Sequence, residues 1–518
     1  MLLATGLAGT GDVLLSGSIR RCPVWRASSA GISLTLWGGR QDPRVLLEQY
    51  RRHGMVMGAT VAGPFACLLV DHRDSSIHLV RDRFGFAPLF YRVIGQTLFC
   101  SNSLREIGAL SPRPALDAIG LARYYLFRFV VPPLTLLQGV FQVPAGHSAR
   151  FEQGSVEFHE CSPFPVGNRN HRGHEGIADA VEAAVGESIA HATAPAVALS
   201  GGLDSAVIYA SLPPREADAF ALVSRDHREN LAAAESVCRG AGKCLQRIAF
   251  GAEDFRLLPE FVEALDEPVC VAPLFYLFLL LRGASGKADV MLLGEGGDEL
   301  FLGYRHQIAL VETFIRAGLS GTPASALRQS SMARRWRQVQ DILRQSIHGE
   351  DLECVTDCLP HEPECAGINQ FLDTLVCQEM TCFPYFYAGV RLGEWFGLDV
   401  RCPLLHPRVV AAAFSISWEA FLFPEARQGV TKLPLRQAFR QRLPPEILAS
   451  PKRGFGEEWT GYRRFAGIQN EQACTAFARL REHGISAEPP STSAGDEYQD
   501  FLWHNLFLGL WLDSMASS

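Results

Sequence analysis

At 518 residues the chain is too long for one ordinary core, and its length predicts roughly two to three domains. It is 47% hydrophobic and 20% charged, the balance of a globular chain, and its formal charge of −7 lacks the concentrated basic surface that non-specific nucleic-acid binding needs. The most apolar window, Phe275 to Leu281, is far short of the ~20 residues of a membrane span, and "MLLATGLAGTGDVLLSGSIRR" has no basic start to make it a secretory signal. A cytoplasmic protein with no membrane or nucleic-acid partner is therefore expected, its 14 scattered cysteines reduced.

In chain order, residues 1 to about 160 read as mostly β. "FACLLVDHR", "SIHLVRDR" and "PLFYRVIG" are short runs rich in Val, Leu, Phe and Tyr, and Asp74-Ser75-Ser76 falls between two of them as a hairpin turn would. The polar, Gly-rich "PVGNRNHRGHEG", Pro165 to Gly176, reads as a linker. "GIADAVEAAVGESIAHAT" then has the 3–4 spacing of an amphipathic helix, and "AVALS", "DAFALVS" and "ADVMLLG" read as buried strands. Strands separated by helices predict a parallel sheet in an α/β domain. From about 300 onwards the chain reads as helical and ends in an aromatic-rich packed helix, "FLWHNLFLGLWL". Cys354, Cys358, His361 and Cys365 are ligand types for zinc, but they contain no C-x-x-C pair; a structural metal site and an ordinary thiol-bearing loop both remain open.

The stretch "VALSGGLDSAVIYA", from Val197, places Ser200, Gly201 and Gly202 between a strand and a helix. Glycines allow a sharp turn and close backbone approach, and the N–H groups of the next helix favour an anion. Asp204 should repel phosphate unless a Mg²⁺ bridges the two. The alternative is a Gly-containing turn with an N-capping Ser; there is no Walker-type G-K-[ST].

Five segments, in order along the chain, carry a resemblance. "SGGLDS" resembles the pyrophosphate loop of enzymes that cleave ATP between the α and β phosphates. "LLGEGGDELFLGYRH" (292–306), "GLDVRCPLLHPRVV" (397–410) and "KLPLRQAFRQRLPPEILASPKRGFGEEW" (432–459) resemble segments of the asparagine synthetase and β-lactam synthetase family. "GPFACLLVDHRDSSIHLVRDRFGFAPLFYR" resembles a hairpin of that family's glutaminase domain. The resemblance spans nearly the whole chain. It implies a glutaminase-like, β-rich sandwich of the N-terminal-nucleophile kind over 1–165, then an α/β ATP-pyrophosphatase synthetase domain with a helical C-terminal part over 166–518. It further implies ATP and Mg²⁺ as cofactors, and a carboxylate activated as its adenylate before an amine displaces AMP.

By resemblance, Leu199, Ser200, Gly201, Gly202, Asp204 and Ser205 hold the pyrophosphate with Gly294 and Gly296, and Asp204 and Asp298 are the Mg²⁺ ligands. Asp298 could instead be a helix N-cap. Glu295 is the implied base or orienter for the amine, against a carboxylate that only shapes the pocket. Lys452 is implied to stabilise charge in the transition state, with Arg453 beside it as the alternative. Lys432 and Arg436, four apart, read as a solvated helical stripe.

Three departures redirect the substrate expectation. Active amidotransferases of the family carry Cys directly after Met, where this chain has Leu2; Cys22 follows Arg21 and precedes Pro23, so the glutaminase-like domain is expected to be inactive. Asp399 stands for the family's Glu and His406 for its Asp, and "CFPYFYAGVRLGEW" differs from asparagine synthetases and is expected to line the acceptor pocket. β-Lactam synthetases carry Tyr where this chain has Glu295. The pattern is most similar to lasso-peptide macrolactam synthetases, which implies a precursor peptide as substrate, with a leader peptidase and a leader-binding protein as pathway partners. A β-lactam-synthetase-like cyclase, an ammonia-dependent asparagine synthetase and a non-catalytic scaffold are the alternatives.

Overall fold

The computed structural model describes residues 2–5, 24–38 and 42–318 with gaps of one to four residues, then 365–421 with similar gaps, 430–452, 466–485 and 496–516. The N-terminal strands are β1 (Leu2–Thr5), β2 (Val24–Ser29), β3 (Ile32–Trp37), β4 (Ala66–Asp71), β5 (Ser76–Arg81), β6 (Phe90–Ile94), β7 (Thr97–Ser101), β8 (Phe141–Gln142), β9 (His147–Glu152) and β10 (Ser155–Glu160). They form two antiparallel sheets, ordered β1-β7-β6-β8 and β10-β9-β5-β4-β3-β2. All six residues of β4 are buried because both faces of its sheet are covered. Leu68 and Val70 alternate into a core shared with Tyr91, Leu98 and Cys100 of the other sheet. Cys67 and Leu69 face Leu46, Leu47 and Tyr50 of helix α1 (Pro43–His53). The β4–β5 hairpin turns where expected: the Ser76 N–H donates to Asp74 Oδ1 at 3.0 Å, and Ser75 takes φ +60°. Helices α2 (Leu104–Gly108) and α3 (Ala118–Phe127) complete this half.

The second half opens with α4 (Ile177–Ile189), followed by β11 (Pro195–Ala198), α5 (Leu203–Ala210), β12 (Asp218–Ser224), α6 (Glu229–Gly240) and β13 (Leu245–Phe250). Helices α7 (Leu258–Leu265) and α8 (Ala272–Ala284) lead to β14 (Val290–Leu292), α9 (Gly297–Leu300) and α10 (Arg305–Arg316). Next come α11 (Ile368–Cys382), α12 (Tyr385–Phe396), β15 (Asp399–Arg401), α13 (Pro407–Ser415), α14 (Leu433–Ala438), α15 (Pro445–Ala449), α16 (Ala466–Glu482) and α17 (Asp496–Ala516). The expected parallel sheet is present, in the order β13-β12-β11-β14-β15. The chain winds one way from β11 through β12 to β13 and the other way through β14 to β15. The order therefore reverses between β11 and β14, and a crevice opens there at the strands' C-terminal ends.

Two expectations of the sequence are corrected here. The 165–176 segment is docked rather than a free linker: the buried Arg169 guanidinium meets Asp373 of α11 at 2.5 Å and donates to the Ile416 carbonyl. Helix α12, expected to line an acceptor pocket, is largely buried, with Phe386, Ala388 and Leu392 at most 1% exposed. Its Phe386 ring lies 6.1 Å from Phe84 and 6.0 Å from Phe86 of the N-terminal half. Arg391 reaches both Asp266 (3.1 Å) and the Asn102 carbonyl. Asp266 also accepts the Leu104 N–H and meets Arg105 at 2.5 Å, so one buried carboxylate joins the two halves. Aromatic residues were in the core, as they usually are, rather than around a ligand. Helix α17 clasps the N-terminal half too: the hydroxyls of Tyr124 and Tyr125 donate to the His504 carbonyl and to Asn505 Oδ1.

No described helix is long and apolar enough to cross a membrane. The thiols of Cys67, Cys100, Cys161 and Cys238 are buried and free. Cys354, Cys358 and His361 lie outside the described residues; Cys365 is buried, with its Sγ 3.8 Å from the Thr374 hydroxyl. Among the described residues no group of three or more His, Cys, Asp or Glu is placed to hold a metal.

Candidate active site

The crevice at the sheet's reversal is walled by the loops that follow β11 and β14. In the first, Leu199 ends the strand: it is fully buried and its N–H donates to the Phe220 carbonyl at 2.8 Å, so only its carbonyl remains for a ligand. Gly201 takes φ +79° to turn the chain. The Ser205 hydroxyl sits 3.2 Å from both the N and Oγ of Ser200, and Ser200 Oγ accepts the Gly202 N–H at 3.3 Å, which holds the loop in shape. Ser200 is not the N-cap of α5. Gly202 is, and no side chain caps it, so the helix presents its first N–H groups to the crevice. Asp204 lies in that first turn.

The second loop is packed against the first. Gly294 and Gly297 lie directly on Asp204; a Cβ at Gly297 would come within 2.3 Å of Asp204 Oδ1. Gly296, at φ +93°, is the N-cap of α9, and the capping carboxylate is Glu299, which accepts the Gly296 N–H at 3.1 Å. Asp298 is therefore not the cap; its carboxylate is turned to the crevice. Gly303 makes room for it, since a Cβ there would fall 1.9 Å from Asp298 Oδ1 and 2.3 Å from Lys432 Cε.

Lys432 is the main surprise. The solvated stripe expected of Lys432 and Arg436 is contradicted: their relative exposures are 4% and 6%. Lys432 adopts φ +59° as the residue before α14 and turns its ammonium inward onto Asp204 and, at 2.7 Å, onto Asp298 Oδ1. Arg436 donates to the carbonyls of Thr431, Ile447, Leu448 and Ser450, fastening α14 to the chain that delivers Lys452. Lys452 Nζ then meets Asp298 Oδ2 at 2.5 Å and lies 5.6 Å from the Tyr304 ring centre. Helical spacing had suggested a common outward face; the turn before α14 is what points Lys432 inward. Arg453 lies outside the described residues.

Charge balance explains the electrostatics. Two ammoniums offset two aspartates, which leaves Glu295 and Glu299 without a cation of their own. Burial pushes Asp204 up, opposed by Lys432; for Asp298 the two lysines outweigh burial and hold its carboxyl below the usual range. Burial, then Asp298, pushes Glu295 up to about 7, and burial, then Asp298 and Glu295, pushes Glu299 up to about 8. The folded state thus keeps protons on both glutamates that the unfolded chain releases near pH ~4.3. With more protons bound when folded, their contribution to stability is full at low pH and is lost as pH rises towards about 7–8. Urea unfolding at several pH values should show that slope. The Glu295→Gln/Glu299→Gln double variant should flatten it, and an unchanged slope in the variant contradicts the assignment.

The two carboxylates suit a divalent cation. Asp204 Oδ1 is buried without a hydrogen-bond partner, and Asp298 Oδ1 has only the ion contact with Lys432, outside hydrogen-bond geometry. A pair of carboxylates matches Mg²⁺, which completes its shell with phosphate oxygens and waters. Asp399 and His406 are elsewhere: Asp399 is at the N-terminal end of β15, paired with Arg401 at 2.6 Å, and His406 contacts Glu187 at 3.1 Å. Besides Lys432, sequence reasoning missed Glu299 and Tyr304, whose hydroxyl donates to Glu299 Oε1 at 2.7 Å. Both were visible in the quoted 292–306 segment, but nothing in it distinguishes them from neighbours facing solvent.

Comparison with known proteins agrees with this arrangement. Residues 176–512 match the asparagine synthase family, and residues 33–162 match the glutamine amidotransferase domain. A putative glutamine-hydrolyzing asparagine synthetase of Mycobacterium tuberculosis is 25% identical, over 90% of this chain and 80% of that one. Asparagine synthetase 1 of Bacillus subtilis is 25% identical over 80% of this chain and 71% of its own, and that of Rattus norvegicus is 23% identical over 90% and 76%. With the matched pattern covering most of the sequence, the chain belongs to the asparagine synthase family, whose members are ATP-dependent carbon–nitrogen ligases that release AMP and pyrophosphate.

Proposed function

We propose that this ligase activates a side-chain carboxylate of a peptide as its adenylate and joins it to the peptide's own N-terminal amine, making a macrolactam. The observation that carries the adenylation step is the convergence of Asp204, Asp298, Lys432 and Lys452 on one point beside the open N-terminus of α5. The helix N–H groups and Ser205 bind the leaving pyrophosphate, and Lys432 and Lys452 offset charge on the phosphates as the carboxylate attacks the α-phosphorus. Asp204 and Asp298 would hold Mg²⁺, which supplies further neutralisation of the leaving group when bound. Glu295, beside the lysines, orients the incoming amine. An amine on the same molecule reaches the adenylate at high effective concentration, so no separate ammonia supply is required. Glu295, in place of the Tyr of β-lactam synthetases, supports the peptide reading over a small β-lactam product.

A second reading, asparagine formation from aspartate and ammonia, is favoured by the names of the relatives. The test supplies ATP, Mg²⁺ and, in separate arms, L-aspartate with ammonium or a linear peptide with a free N-terminus and an internal Asp or Glu. AMP and pyrophosphate with loss of one water from the peptide supports macrolactam formation. Free asparagine supports the second reading, and no nucleotide consumption in either arm overturns the peptide proposal for these substrates.

A further inference from the structure

Beside Lys452 stands a pair of groups to which the adenylation reading assigns no role. Tyr304 stands against Lys452, and the His306 ring stacks on Tyr304 at 5.2 Å with the planes 16° apart. His306 Nε2 is 2.6 Å from Glu379 Oε1 of α11. Glu379 is buried (side chain 7% exposed), whereas half of the His306 side chain is open. Because a carboxylate only accepts, Nε2 carries the hydrogen, and in the neutral ring the lone pair is on Nδ1. Nδ1 has no hydrogen-bond partner among the described residues.

A carboxylate-backed imidazole with an open nitrogen is built to take up a proton and release it. Tyr304 lies beside Lys452, the residue that the adenylation reading puts at the reacting charge, so the acyl group and its attacking amine come into the neighbourhood of the Tyr304–His306 pair.

We propose that His306, held by Glu379, is the proton acceptor for the attacking amine. This rests on the adenylation reading above. The nitrogen–carbon bond forms at the acyl carbon as the bond from that carbon to the AMP oxygen breaks, and the electron pair leaves with AMP. The proton shed by nitrogen goes to His306 Nδ1 and from there to water. In this proposal Glu295 orients the amine.

The experiment separates the two halves of the reaction in the full-length protein, using whichever of the aspartate or peptide probes supports pyrophosphate exchange. His306→Gln should leave carboxylate-dependent exchange of pyrophosphate into ATP within about twofold of wild type. Amide formation should fall about 10²-fold or more. Hydroxylamine, which is unprotonated at neutral pH and needs no base, should trap the adenylate as fast in the variant as in wild type. Glu379→Gln should show the same split with a smaller loss, on the order of 10-fold. Amide formation unchanged in His306→Gln overturns the proposal, as does hydroxylamine trapping that falls in step with it. Absence of pyrophosphate exchange in the wild-type protein is a different failure, that of the adenylation reading itself.

Discussion

An Asp204→Ala variant should lose carboxylate-dependent exchange of pyrophosphate into ATP by about 10²–10³-fold or more, whatever carboxylate is supplied. Asp204 is the only carboxylate in the β11–α5 loop, and its Oδ1 is buried without a hydrogen-bond partner. Its removal does not strand a buried ammonium, because Lys432 keeps Asp298 at 2.7 Å. The variant should therefore fold, and a thermal melt close to wild type is the control that makes the kinetic loss interpretable. Retained turnover in a folded Asp204→Ala protein would remove the basis for placing Mg²⁺ here.

Lys432→Met should have a comparable kinetic effect and a larger structural one. Methionine has much the same length but no charge, so Asp204 and Asp298 would face each other with only Lys452 to offset them. Breaking a buried ion pair by deleting one partner costs about 3–5 kcal/mol, visible as a lower urea midpoint. Adding Mg²⁺ should restore more stability to this variant than to wild type, since the cation replaces the missing charge between the carboxylates. A Lys432→Met protein as stable and as active as wild type, with no such Mg²⁺ response, contradicts the role assigned to Lys432.

These two residues also mark how much could be read in the sequence. Asp204 was legible because its surroundings are local: strand, Ser-Gly-Gly turn and helix follow one another within fourteen residues of sequence, 197–210. Strands β11, β12 and β14 were legible as apolar runs. Strand β13, "LQRIAF", has a mixed burial pattern, and β15, "DVR", has only three residues; both are strands because of their neighbours in the sheet. Lys432 was misread because its orientation depends on one backbone angle, φ +59°, and on partners 134 and 228 positions away in sequence, at Asp298 and Asp204. The His306–Glu379 pair, 73 residues apart, left no local signal. Helix α12 was misplaced because aromatic residues in a sequence do not say whether they meet a ligand or another domain.

The clasp of α17 on α3 has a consequence for how the chain is made. Tyr124 and Tyr125 meet partners 380 residues further along. At roughly 5–20 residues per second of synthesis, those partners arrive on the order of 20–80 s after the tyrosines. Throughout that interval the two α3 tyrosines lack the partners that the last helix brings. Yield of the intact protein should therefore depend on translation speed and on chaperones that shield these tyrosines, and production of residues 1–165 alone should give a protein prone to aggregate.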